Sequence, residues 1–312
     1  MRLLERSNVR KNYRKVAGAV SLAATSSLAL AGCTDQQLGA YMPGEVGTSD
    51  KGDLIGTFWT NSWVVLMAIG LLVWILIIWA SIAYRRRKNE TGMPVQMRYH
   101  MPVEIMFTIL PIVLVAGFFA FTARDEAIAI DVADESERDV HIEVYGKQWA
   151  WDFNYLEVDG SEYDGGVYFE GEQAREVRDE NGKTTGEIEE DKLPVVYVPV
   201  GANVTFDLKS RDVAHSFWIP EFHYKLDTIP GKTNTFSITV EREGEYIGKC
   251  AELCGEYHSM MLFKVKAVSA QDYKDYIQSL RDAGQTGARG DEYNRNDQNP
   301  GTSVPEIKHE QH

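Results

Sequence analysis

Cysteine is scarce in this chain: three in 312 residues, at positions 33, 250 and 254. That leaves room for one internal bridge at most and excludes a disulfide-built scaffold. Positive charge is also short, with 32 Lys and Arg against 46 Asp and Glu and a formal net charge of −14. The balance argues against a nucleic-acid partner, whose phosphates attract the opposite sign. No internal repeat is evident. Of the seven histidines, at 100, 141, 215, 223, 258, 309 and 312, none falls inside a long apolar run. Any membrane-embedded part of the chain therefore lacks the side chain that commonly holds haem iron.

What is present begins with an export layout. Arg2, Arg6, Arg10, Lys11, Arg14 and Lys15 precede a short apolar run, Val16 to Ala31. The run is too short for a comfortable membrane span but suits a signal segment over 1–32. It ends in Leu30-Ala31-Gly32-Cys33, which resembles a bacterial lipoprotein cleavage box. Cys33 would then carry a diacylglycerol thioether as the mature N-terminus, held in membrane lipid and unavailable to a metal.

After an exterior segment over 33–57, residues 58–84 carry no charge. At about 1.5 Å per residue they are long enough to cross a hydrocarbon core of about 30 Å. Trp59 and Trp63 sit at the rim, as interfacial aromatics do. A second span covers 101–123, interrupted by Pro111, which a membrane helix tolerates when neighbouring groups take up the freed carbonyl. The loop between them, 85–100, opens with Arg85-Arg86-Arg87-Lys88 and includes Arg98. The positive-inside rule puts it in the cytoplasm and both flanking ends outside.

Residues 124–281 are expected to form an extracytoplasmic β-domain. Val140 to Tyr145, Val195 to Val198, Val204 to Leu208, Thr235 to Val240 and Met261 to Val268 are short β-branched or aromatic runs separated by Gly, Pro, Asn and Asp, as in a sandwich or barrel. Residues 157–192 depart from that pattern with 13 acids against 4 bases and are expected to be a solvated loop. Tyr273, Tyr276, Ile277 and Leu280 fall at helical spacing and predict a closing helix over 271–281. Residues 282–312, polar and nearly free of apolar side chains, are expected to be a disordered tail.

The chemistry concentrates in Cys250-Ala-Glu252-Leu-Cys254-Gly-Glu-Tyr-His258-Ser-Met260-Met261. Outside the cell a cysteine pair is ordinarily a disulfide, but an imidazole and thioethers this close argue for a metal. Soft sulfur mixed with imidazole selects copper, with zinc the main rival. His215 is expected in a loop following a predicted strand, and the cysteines and His258 on the loop before the last strand, two loops that a sandwich brings to one end. One cysteine, two histidines and a weak methionine would make a mononuclear copper site. A second thiol allows two thiolates to bridge two ions, each capped by a histidine. Met261 and the Glu252 carbonyl are the open choices for weak axial ligands, Met260 pointing to the opposite face.

These residues, His215 with Cys250-x-Glu252-x-Cys254-x-x-x-His258-x-x-Met261, resemble the CuA site of subunit II of the bacterial aa3-type cytochrome c oxidase family. Two spans followed by an exterior β-domain are similar to that subunit's layout. The resemblance runs from roughly Phe58 to Val268 and includes His215-Ser216 with Pro220, Lys225, Asp227 and Pro230-Gly231, and the aromatic block Gly146-Lys147-Gln148-Trp149-Ala150-Trp151. Phe217-Trp218 departs from the family's order, and 157–192 looks like an insertion.

The resemblance implies a membrane-anchored all-β fold, a two-helix transmembrane hairpin plus a cupredoxin-like β-sandwich. It implies a dinuclear copper centre capped by His215 and His258 and bridged by Cys250 and Cys254, with Met261 sulfur and the Glu252 carbonyl as axial ligands. The Glu252 carboxylate would join a magnesium ion shared with subunit I, a hard ligand for a hard ion. Trp149 would receive electrons. Glu104 would open a proton path, its plainer role being a helix N-terminal acid stabilised by the macrodipole. His100, His141, His223, His309 and His312 are expected to be surface or packing residues.

The function so implied is electron transfer from cytochrome c, soluble or membrane-bound, to haem held only in subunit I. There, with other oxidase subunits, oxygen is reduced to water and protons are translocated. The acidic net charge suits a basic donor surface, with Asp212 as one contact. The chain would be a multi-pass protein of the bacterial cell membrane. Three alternatives fit less well. A quinol-oxidising subunit II lacks the copper ligands, a nitrous-oxide-reductase-type protein needs a further catalytic domain, and a copper chaperone would ordinarily sit on a thioredoxin-like pattern.

Overall fold

The computed structural model describes residues 34–86, 92–93, 96–158 and 161–295. The export segment and Cys33 lie outside these residues, as do His309 and His312. Helix α1 (Asp50–Ala83) opens on Ser49, whose side chain accepts from the Gly52 N–H, with Asp50 and Asp53 in the first turn. Acids there complement the exposed N–H groups and the macrodipole. The helix starts eight residues before the uncharged stretch, and those two turns bury Lys51 and Gly52 against the β-domain. Helix α2 (Met101–Ala129) outruns the expected second span by six residues.

Each helix contains a window of mean hydropathy 2.7 or 2.4 with none of it buried inside the protein, the signature of segments whose solvent is lipid. Phe58 and Phe118 meet across the pair at 5.8 Å between ring centroids. His100 caps α2, its ring accepting from Val103 N, and Pro102 sits in the first turn, where its missing N–H leaves no bond unmade. Glu104 accepts from the His100 N–H at 2.8 Å, a helix-end role.

The β-domain is two five-stranded sheets. One has the order β10-β7-β1-β2-β3 and the other β6-β12-β11-β8-β9. The strands are β1 (Val140–Lys147), β2 (Ala150–Val158), β3 (Ser161–Phe169), β4 (Glu176–Arg178), β5 (Thr184–Ile188), β6 (Val195–Pro199), β7 (Asn203–Ser210), β8 (His215–Ile219), β9 (Tyr224–Thr228), β10 (Asn234–Thr239), β11 (Gly244–Cys250) and β12 (Leu262–Val268). β1 runs parallel to β7 and β12 to β6, and the other pairs are antiparallel. Period-2 alternation sets the core: Val204, Phe206 and Leu208 from β7 and Phe263, Val265 and Ala267 from β12 are buried. Trp151, Phe217 and Phe263 pack at its centre, the last two stacked at 4.5 Å.

Two stretches differ from the sequence expectation. The acidic segment 157–192 is not all loop. It supplies β3, which pairs with β2, and a separate β4–β5 hairpin. Val167 and Phe169 explain the strand: the first is buried and the second stacks on Phe153. Beyond α3 (Ala270–Asp282), the polar stretch expected to be disordered is ordered as far as Arg295. Tyr168 N donates to Gln285 O at 3.1 Å and Gly287 N to Gly166 O at 2.9 Å. Asn154 exchanges two bonds of 3.0 Å with the Arg289 main chain. Composition counts apolar side chains, whereas this segment is held by its backbone along a sheet edge.

Phe263→Ala is expected to cost about 3–5 kcal/mol, the usual range for emptying a packed aromatic site. Urea unfolding of the detergent-solubilised chain measures it, and a loss under about 1 kcal/mol would contradict this account of the core.

Candidate metal centre

β8 and β11 are antiparallel neighbours, with Cys250 opposite Phe217 and Lys249 opposite Trp218. His215, first in β8, and Cys250, last in β11, therefore meet at one rim, on two strand ends of one sheet. The chain then loops through Cys254 and returns by a short 3-10 turn, His258–Met260. Main-chain bonds fasten the loop: Cys250 N to Met261 O and Ala251 N to Ser216 O, both 3.0 Å. Trp151 Nε1 points at Met261 O from beneath, at 3.4 Å.

The predicted ligands converge. Cys250 Sγ lies 3.9 Å from Cys254 Sγ and 4.0 Å from His215 Nδ1. Cys254 Sγ lies 3.6 Å from His258 Nδ1 and 3.7 Å from Met261 Sδ. The Glu252 carbonyl oxygen is 3.1 Å from Cys250 Sγ. Donor atoms of His215, Cys250 and Cys254 all lie within 4.8 Å of one another. His258 stands outside that group on the Cys254 side, so the two imidazoles flank the sulfur pair. Met261 is fully buried and Met260 only half-buried, but Met260 closes the 3-10 turn and Met261 precedes β12, so the difference comes from the turn and not from strand alternation.

A cation fits these donors on chemical grounds. Both cysteines are buried and free. Burial resists ionisation of Cys250, but the His215 bond and backbone hydrogen bonds with Ser216 and Glu252 outweigh it and lower its pKa. Burial and then the neighbouring Cys250 push the Cys254 thiol up to about 12. Two thiolates this close are thus stable together only around shared positive charge. Metal–sulfur bonds of about 2.3 Å reach both sulfurs across the gap, which is too wide for a disulfide of about 2.05 Å.

Asp212 and Gly146 complete the setting, and neither was singled out as part of it by sequence. Asp212 Oδ1 bonds His215 Nε2 at 2.9 Å, which leaves Nδ1 facing the sulfurs, and a carboxylate so bonded fixes the imidazole's tautomer. Burial opposes His215 protonation, but Asp212 and then Cys250 prevail and raise its pKa. Burial likewise raises the Asp212 pKa, and the His215 bond with the Gln148 and Val213 N–H groups more than reverses it. Expected to face an electron donor, Asp212 is instead turned inward. A Cβ on Gly146 would stand 2.8 Å from His215 Cδ2, so only glycine lets β1 pass the imidazole.

Trp149 lies over the same loop, its ring 4.9 Å from Tyr257 in an edge-to-face contact. Gly255, at φ +130°, permits this, since a Cβ there would meet Trp149 Nε1 at 3.1 Å. Gln148 Nε2 donates to Cys254 O at 2.7 Å. The Glu252 and Leu253 side chains are exposed. Of the other described histidines, His141 pairs with Asp207 at 2.8 Å and His223 bonds backbone carbonyls. Neither joins the cluster.

Soft donors on the rim of a cupredoxin-like sandwich, carried by two membrane helices, place the chain among membrane-anchored copper-domain proteins. Residues 140–268 match the family model described as cytochrome C oxidase subunit II, periplasmic domain. A probable cytochrome c oxidase subunit 2 of Streptomyces avermitilis is 40% identical, covering 91% of this chain and 92% of that one. The cytochrome c oxidase subunit 2 of Mycobacterium bovis is 32% identical over 89% and 85%. The periplasmic domain of subunit II of cytochrome oxidase of Bradyrhizobium japonicum is 24% identical, with a TM-score of 0.38, covering 49% of this chain and 99% of that one. The chain belongs to the cytochrome c oxidase subunit II family. It is a membrane protein whose β-domain is the periplasmic part.

Asp212→Ala removes the acceptor that orients His215 and is expected to weaken copper binding about 10- to 100-fold. Competition against a chelator of known affinity measures this. Unaltered affinity would show that the carboxylate does not orient the ligand.

Proposed function

We propose that the chain is the electron-receiving subunit of a haem-copper oxidase, taking electrons from cytochrome c and passing them to haem in subunit I. The observation that carries this reading is the sulfur pair at 3.9 Å flanked by two imidazole nitrogens. His215 and His258 would cap two copper ions, Cys250 and Cys254 bridge them, and Met261 sulfur and the Glu252 carbonyl complete the shell. When bound, such a pair supplies one-electron transfer with little change of geometry between its two oxidation states.

The protein's part is to hold that geometry and exclude water. His215, Cys250, Cys254 and Met261 are buried, and each is tied to a strand end or a bonded loop. Trp149, packed on the loop and half-buried, is the proposed point of electron arrival. The exposed Glu252 carboxylate is the proposed magnesium ligand shared with subunit I. Cys33 is the proposed lipid attachment, resting on the small residues that precede it. Glu104 is the proposed opening of a proton path. Its bond to His100 N is the competing explanation, and unchanged oxidase turnover in Glu104→Gln would favour that one. The complete ligand set speaks against a quinol-oxidising relative.

The oxidised chain is expected to show a paramagnetic spectrum of one unpaired electron shared by two equivalent copper nuclei, and a single-nucleus pattern would refute the bridged assignment. Trp149→Phe is expected to slow donor oxidation at least tenfold, about 1.4 kcal/mol of barrier, with the copper spectrum intact. Loss of copper in that variant would make Trp149 a packing residue instead.

A further inference from the structure

The C-terminal stretch beyond α3 crosses the first sheet and, at Arg295, passes beside the proposed copper ligands. Arg211, itself buried and paired with Asp152 Oδ2 at 2.8 Å, donates to the carbonyls of Arg289 and Gly290 at 2.9 Å each. Tyr145 OH donates to Asp291 at 3.0 Å, and Arg295 N to Arg211 O at 2.9 Å. So fastened, the main chain aims the last described side chain. Arg295 Nη1 donates to Gln148 Oε1 at 3.0 Å and stands 4.0 Å from Asp212 Oδ2. Each of those groups is one bond from the cluster: Gln148 holds the Cys254 carbonyl, and Asp212 holds His215 Nε2.

We propose that Arg295 is a positioning residue for the copper centre, steadying Asp212 and Gln148 and raising the centre's reduction potential through its charge. The proposal rests on the copper reading above. A carboxylate bonded to a ligand imidazole makes the ligand more basic and favours the more oxidised metal. A guanidinium on the carboxylate's other oxygen draws that density away and adds positive charge nearby. Both effects favour the reduced state. Asp212 is only 7% exposed and feels the charge at low dielectric, while Arg295 is 67% exposed and partly screened by water. The effect is therefore modest and salt-sensitive.

The test uses the full-length chain in the assembled, copper-loaded oxidase. Arg295→Gln is expected to keep the two-copper spectrum while shifting electron exchange with a donor of fixed potential about threefold toward the donor. That is a fall of about 28 mV at 59 mV per tenfold. Arg295→Lys should recover most of the difference, and about 1 M salt should shrink it, as the Debye length drops to about 3 Å. An unchanged potential in Arg295→Gln, or an equal fall in Arg295→Lys, overturns the proposal. Absence of the two-copper spectrum from the wild-type oxidase would overturn the copper reading instead, so the two failures are separable.

Discussion

Two sulfurs held 3.9 Å apart inside the protein form the constraint around which the rest of the domain is arranged, because the distance suits neither a covalent bridge nor two independent anions. Burial resists ionisation of both thiols. Cys250 is relieved by His215 and the loop backbone, whereas Cys254 is held at about 12 by burial and by Cys250 itself. Taking up a cation must release the proton that Cys254 keeps, so metal binding and thiol ionisation are one linked event. The ligand loop has little freedom to avoid this situation. Its two ends are bonded to β8 and to Met261, and the indole of Trp151 sits beneath it.

A relay of electrons benefits from ligands that do not move, and ligands on regular elements are placed more reproducibly than ligands on loops. Here His215 and Cys250 are strand residues of one sheet, and the groups that touch His215, or bond to it directly or through Asp212, come from the other: Gly146 near the end of β1, Gln148 in the β1–β2 turn and Asp212 just after β7. The copper site is thus where the two layers of the sandwich meet at one end. The aromatic cluster of Trp151, edge-on to the stacked Phe217 and Phe263, fills the space directly below. Stability of the core and geometry of the site share the same residues.

The sequence made the cluster of proposed donors legible because its chemistry is local: the six come from two short segments whose residue types suit copper. The strands of the core were also legible, since Val204, Phe206 and Leu208 or Phe263, Val265 and Ala267 alternate cleanly. What could not be read was long-range. Asp212 is an ordinary acid until the fold turns it toward His215, and Gly146 is one glycine among many until β1 passes the imidazole. Arg295 lies 80 positions beyond His215 (295 − 215 = 80), in a stretch with few of the apolar side chains by which burial is recognised. Residues 283–295 are held by main-chain bonds to β3 and by the side chains of Asn154, Arg211 and Tyr145, partners that composition cannot signal.

The helical turns of α1 that precede its uncharged stretch have a mechanical reason in the same terms. An electron relay between two other proteins must hold its centre at a fixed place above the bilayer, and a flexible linker would not do so. The α1 turn that buries Lys51 and Gly52 is instead fastened to the β-domain at several points. His223 Nδ1 bonds Gly52 O at 2.7 Å and its Nε2 faces Pro43 O. Lys51 Nζ donates to Asp131 O just past α2, Glu241 N donates to Thr48 O at 3.0 Å, and Arg242 pairs with Glu45 at 2.6 Å. These bonds join the N-terminal segment, both helices and the sandwich within one polar layer outside the lipid. Two charged side chains near α1's start, where the apolar run ends in sequence, take part: Lys51 in the bond to Asp131 O, and Asp50, which accepts from Thr239 N at 3.0 Å. Anchor and copper domain are therefore coupled through hydrogen bonds that only an extracytoplasmic helix extension can supply.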